Sequence, residues 1–240
     1  SCVLTPAAGG GLTLTASYAG TSNFGASSDT EAHTVNAVAS TLAILSDTPD
    51  PSVAGQPVNV AAQLSSGVGI PPGPITISDG AGAACQISGA NGNCNLIPIN
   101  PGAITLRADF AGSGTHLAST ASSAHSVDRA ATTLTPAAPI GSDGNAPRQF
   151  APLRFAVTVN VSAPGAGVPT GSITVTGIPG VEVCVITLPA ASCDLIVQTP
   201  GTRTFDVAYA GDSRFLASTT QVSAQVLPDA LFGSRFEEDE

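Results

Sequence analysis

Short apolar runs, many alternating with polar residues, recur along the chain between clusters of Gly, Pro, Ser and Asn. The segment Thr105–Phe110 shows this best. Leu106, Ala108 and Phe110 fall on one side, and Thr105, Arg107 and Asp109 on the other. A period of two with one polar face predicts antiparallel strands laid on a core. Between residues 39 and 130 the pattern predicts seven strands, at Thr41–Leu45, Val58–Leu64, Ile75–Ser78, Ala84–Ile87, Asn93–Ile97, Ala103–Phe110 and Ala121–Val127. The runs FAVTVNV from Phe155 and TFDVAYA from Thr204 repeat the alternation. No stripe at 3.6-residue spacing is sustained, and Gly, Pro and Thr are too frequent for helices.

The strand pattern is itself repeated. CVLTPAAGGGLTLTASYAG from Cys2, CNLIPINPGAITLRADFAG from Cys94 and CDLIVQTPGTRTFDVAYAG from Cys193 align without a gap. The offsets from Cys2 to Cys94 and from Cys94 to Cys193 are 92 and 99 residues. In this frame Tyr18, Phe110 and Tyr209 coincide, as do Gly20, Gly112 and Gly211, and Val35, Val127 and Val226. Upstream, Pro72–Ile77 answers Thr170–Val175, and Cys85 answers Cys184. Agreement at fixed offsets over so many positions marks true internal repeats. It predicts whole repeats at 39–130 and 131–228, the back half of another at 1–38, and an acidic tail at 229–240. About seven short strands per repeat predict an all-β fold of tandem Ig-like antiparallel β-sandwiches.

The cysteines sharpen this. Cys85 and Cys94 lie nine apart, and so do Cys184 and Cys193. Each interval is long enough for two strands and a turn, which predicts a disulfide stapling adjacent strands of one hairpin. Zinc is the competing reading, but neither pair has a second Cys or His pair beside it. Disulfides imply an oxidising compartment. Cys2 is unpaired within the chain, because the repeat places its partner nine residues earlier. The expectation is that the protein extends upstream, and that residues 1–38 expose an apolar face and open edges and are poorly packed.

Composition excludes several functions. The chain of 240 residues has no Met or Trp, and its seven basic residues are all Arg, against 17 acidic ones. A net charge of -10 opposes binding to a nucleic acid backbone or an anionic membrane surface. No apolar stretch approaches the length of a membrane-spanning helix. HExxH, Walker and dinucleotide motifs are absent, and no Gly-x-Ser-x-Gly elbow stands between a strand and a helix. No catalytic residue, cofactor or metal site is therefore expected, and the chain is read as not an enzyme. His33 and His125 share a repeat position that Ala224 fills later, and His116 stands where the other repeats have Phe24 and Phe215. The loops AGTSNF, AGSGTH and AGDSRF recur, and in the last Asp212 offers calcium or an internal ion pair a single carboxylate beside Asp206.

These features resemble the bacterial Ig-like domains found in tandem in large secreted and surface proteins. The residues that carry the likeness are Pro169–Val175, the Cys184 and Cys193 pair, Pro200-Gly201 and Tyr209–Phe215. The tail residues Leu231, Phe232, Arg235, Phe236 and Glu237 resemble a short C-terminal export or sorting signature of Gram-negative secreted proteins. They depart from it in having Arg235 where Gly is usual. The resemblance implies a non-catalytic extracellular or cell-surface stalk, or an adhesin-like module of a larger protein. Its partners would be neighbouring Ig-like repeats upstream and a host or matrix protein or glycan. The alternatives are a carbohydrate- or protein-binding module, for which sugar-stacking aromatics are scarce, and an accessory region of a secreted hydrolase.

Overall fold

The computed structural model describes residues 1–6 and 9–229. The tail residues Leu231, Phe232, Arg235, Phe236 and Glu237 lie outside the described residues. Every regular element described is a strand. In chain order these are β1 (Gly10–Tyr18), β2 (Ser27–Val35), β3 (Ser40–Thr48), β4 (Ser52–Val53), β5 (Val58–Ser66), β6 (Ile75–Ser78), β7 (Ala84–Ile87), β8 (Asn91–Leu96), β9 (Gly102–Phe110) and β10 (Ser119–Asp128). They continue as β11 (Thr132–Pro136), β12 (Ile140–Gly141), β13 (Pro152–Val161), β14 (Ser172–Thr176), β15 (Val183–Thr187), β16 (Ser192–Ile196), β17 (Gly201–Tyr209) and β18 (Ser218–Val226). Two compact units result, one of residues 1–51, 57–97 and 103–126, the other of 52–56, 98–102 and 127 onward.

In the first unit, β3, β5 and β8 form one antiparallel sheet, and β10, β9, β6 and β7 run side by side in another. Their inner faces share one core. Leu42, Val60, Leu64 and Leu96 come from the first sheet, and Ile75, Ile77, Leu106 and Phe110 from the second. The alternation read in β9 is kept, with Leu106, Ala108 and Phe110 buried and Thr105 and Arg107 exposed. The two-residue β4 was not legible as a strand. It is held by parallel pairing of Ser52 with Val127 and Val53 with Asp128.

The second unit repeats the plan. One sheet is built on β13, flanked by β11, β12 and β16, and the other runs β15, β14, β17, β18. Phe155 and Phe205 meet edge to face with ring centroids 4.8 Å apart, within a core that also holds Leu153, Ile173, Val207 and Tyr209. A carboxylate enters it. Glu182 is fully buried and bonds Arg203 at 2.7 Å, while its other oxygen accepts the Gln198 amide. In the first unit Ala83 and Ile104 stand in these two places of the repeat.

The repeat frame is visible in the ladders. Gly10 pairs Val35 and Tyr18 pairs Ser27 in β1–β2; Gly201 pairs Val226 and Tyr209 pairs Ser218 in β17–β18. All nine pairs of one hairpin recur in the other. Their surroundings differ. Tyr209 and Phe215 are buried, whereas Tyr18 is 46% and Phe24 70% exposed. The β1–β2 hairpin therefore shows solvent the face that its counterpart turns to a core.

Candidate functional site

The cysteine pairs come first, because the structure changes their role. Cys85 is joined to Cys94 and Cys184 to Cys193. Cys85 lies on β7, which pairs with β6, whereas Cys94 lies on β8, which pairs with β5 in the opposite sheet. Cys184 on β15 and Cys193 on β16 are divided between two sheets in the same way. Each bridge thus fastens one sheet of a sandwich to the other. The reading of a staple within one hairpin is corrected. Spacing alone cannot tell a hairpin from a crossover between sheets, since either needs only a few turn residues. Cys2 is a free, exposed thiol.

The recurring loops are structural. Gly211 has φ of 79°, and a Cβ there would lie 2.9 Å from the Ala217 nitrogen and the Phe215 oxygen. Asp212 caps this loop. Its Oδ1 accepts the amides of Arg214 and Phe215, and its Oδ2 accepts the amide and hydroxyl of Thr170. Burial alone would raise the Asp212 carboxyl, but the Thr170 hydroxyl and these amides outweigh it and bring it down to about 2. The carboxylate is committed to the loop. Tyr209 donates to the Thr170 carbonyl at 2.8 Å. Burial first, and the neighbouring Asp212 second, push its phenol up to about 12. In the first unit Ser113 Oγ accepts the amides of Thr115 and His116, and Phe110 replaces the tyrosine.

The histidines diverge. His33 is exposed on β2. His116 is buried and packs in its loop, with Nδ1 3.0 Å from Thr115 Oγ1 and Nε2 3.1 Å from the Val68 carbonyl oxygen. His125 sits on the inward stripe of β10, with its side chain fully enclosed. Its Nδ1 lies 2.9 Å from Asp47 Oδ2 and 3.4 Å from Asp50 Oδ1. Asp50 Oδ1 also accepts the Ser126 amide.

A bulge delivers Asp47 to this place. Leu42, opposite Leu64, and Ile44, opposite Ala62, follow the inner face of β3. The register then shifts between Ile44 and Ser46, which leaves Leu45 62% exposed and sets Asp47 opposite the buried Val60. An unbroken alternation would have turned Asp47 outward. The sequence therefore hid this cluster, and the apolar yet exposed Leu45 is its only trace. Among the described residues it is the one grouping of three His, Cys, Asp or Glu side chains whose ligating atoms lie within 4.8 Å of one another.

No family model matches the chain, and a search of curated proteins finds no match. Solved structures that resemble it include the fibronectin(III)-like modules of Clostridium thermocellum CbhA, at 17% identity and a TM-score of 0.34, covering 83% of this chain and 98% of that one. The Yersinia pseudotuberculosis adhesin InvE aligns at 14% identity and a TM-score of 0.37, over 76% of this chain and 58% of that one. Carbohydrate-binding modules of the β-sandwich superfamily align at 11% identity and a TM-score of 0.34, over 81% and 94%. Likeness at this level is one of outline and carries no functional argument.

Proposed function

We propose that this chain is a non-catalytic extracellular stalk or adhesin-like module of a larger bacterial secreted or surface protein, built of tandem Ig-like sandwiches of about seven strands. The observation that carries the reading is the repetition of one plan. The same hairpin register and the same bridge between sheets recur. Serial β-sandwiches locked across their sheets resist extension, which suits a shaft. The bridges suit an oxidising, extracytoplasmic compartment. The exposed inner face of β1–β2 fits the strands of a further Ig-like repeat, the partner expected upstream, with residues 39–130 and 131–228 as whole domains. Under this proposal residues 231–237 act as a sorting signature.

A protein-binding module is the second reading. It is favoured by an open apolar trough lined by Val157, Val159, Val168, Pro169, Leu188 and Pro189. Screening the 240-residue chain against glycan and matrix-protein arrays separates the two. A stalk expects no saturable ligand in the submicromolar range, and an adhesin-like module one that survives Val168→Asp. A ligand lost on Val168→Asp would assign the trough and overturn both.

A further inference from the structure

We propose that Asp47, Asp50 and His125 form a binding site for a divalent transition-metal ion of the zinc type. The ligand set is one imidazole nitrogen and two carboxylate oxygens, which suits borderline ions better than calcium or magnesium, whose shells are made of oxygen. Two of the three spacings fit as well. Ligand atoms around such an ion, at bonds of about 2.0–2.1 Å, stand roughly 2.9–3.4 Å apart in octahedral or tetrahedral arrangements. Nδ1 of His125 stands 2.9 Å from one carboxylate oxygen and 3.4 Å from the other.

The site is held and has an entrance. The His125 side chain is buried at 0% exposure and that of Asp47 half-buried at 14%, and Asp50 at 41% opens the site to water, which supplies the remaining ligands. Asp50 stands between Pro49 and Pro51, and the Ser126 amide fixes its carboxylate. The metal takes the place of the Nδ1 proton that faces Asp47, and that proton passes to solvent.

The second unit shows that the fold does not need this cluster. Thr48 lies across from Asn59, and Ile140 across from Arg154 at the same step of the ladder. Pro139 and Ser142 therefore occupy the places of Asp47 and Asp50, and Ala224 that of His125. One unit closes this corner with small and apolar residues, and the other gathers two carboxylates around an imidazole. Packing alone gives no reason for the difference, whereas a ligand does.

The test is calorimetric titration of the full chain with zinc chloride at fixed pH, with Cys2 alkylated in every sample. His125→Ala and Asp50→Ser install the residues that the second unit carries, and thermal melts establish that the variants fold. One zinc ion per chain is expected for the parent and for His33→Ala. Binding weaker by more than about tenfold is expected for Asp50→Ser, and loss for His125→Ala. Zinc should raise the melting temperature of the parent and of neither site variant. X-ray absorption of the loaded protein should show nitrogen and oxygen neighbours without sulfur. Absence of saturable binding, or retention of full affinity in Asp50→Ser, would overturn the proposal.

Discussion

Removing one bridge tests how the sandwich is held. In Cys184→Ala/Cys193→Ala the cross-link closing a separation of nine residues is lost. Loop-closure entropy for so short a loop contributes about 2.6 kcal/mol at 25 °C. Cys184 is 9% exposed and Cys193 packs against the core, so lost burial adds about 1 kcal/mol. A loss of about 3.6 kcal/mol in a unit of this size lowers the melting temperature by roughly 14–29 °C. Urea denaturation followed by far-UV circular dichroism, with and without reductant, measures the loss. The geometry also says where the change falls. β15 is the edge of its sheet, paired only with β14, and the bridge is its covalent tie to β16. Amide hydrogen exchange should therefore rise on β15 and β16 more than on β17 and β18. A stability loss below about 1 kcal/mol would refute the reasoning. So would an increase in exchange spread evenly over the unit.

The buried ion pair gives a second test. Glu182→Ala leaves Arg203 without its carboxylate and should cost about 3 kcal/mol, whereas Glu182→Ala/Arg203→Ile, the pair that the first unit carries, should recover most of it in the same denaturation assay. Stability against pH gives a third. The Asp212 carboxyl is held low, so its contribution of about 1–2 kcal/mol is complete above the ordinary carboxylate range and is lost as pH falls through about 2. Asp212→Ser should flatten that acid limb. The Tyr209 phenol is held high, so its contribution is complete below the ordinary phenol range and is lost as pH rises through about 12, a loss that Tyr209→Phe should abolish.

Strands were the most legible level of this protein. Each of the seven strands read between residues 39 and 130 is present within a few residues, because Leu106, Ala108 and Phe110 and their like write the period of two directly into the chain. The strand partners were less legible. Cys85 and Cys94 lie on opposite sheets although only Ser88, Gly89 and Ala90 separate β7 from β8. Nothing local distinguishes that crossover from a hairpin. The Asp47, Asp50 and His125 cluster was hidden for a different reason. The bulge at Leu45 reverses the phase of β3 ahead of Asp47, and Asp50 lies beyond that strand, so no alternation marks either carboxylate as a neighbour of His125. Strand β4, only two residues long, exists through its pairing with Val127 and Asp128 and has no pattern of its own.

Mechanical unfolding of the full chain tests the central claim of serial, cross-linked sandwiches most directly. Single molecules pulled from their ends should show two principal unfolding events. Each should release about 300 Å of contour, from some 90 residues extending at about 3.6 Å apiece with the residues inside the bridge withheld. Reduction should lengthen each event by roughly 30 Å, the reach of the nine-residue separation set free. A single event, or increments that reduction does not change, would contradict the account.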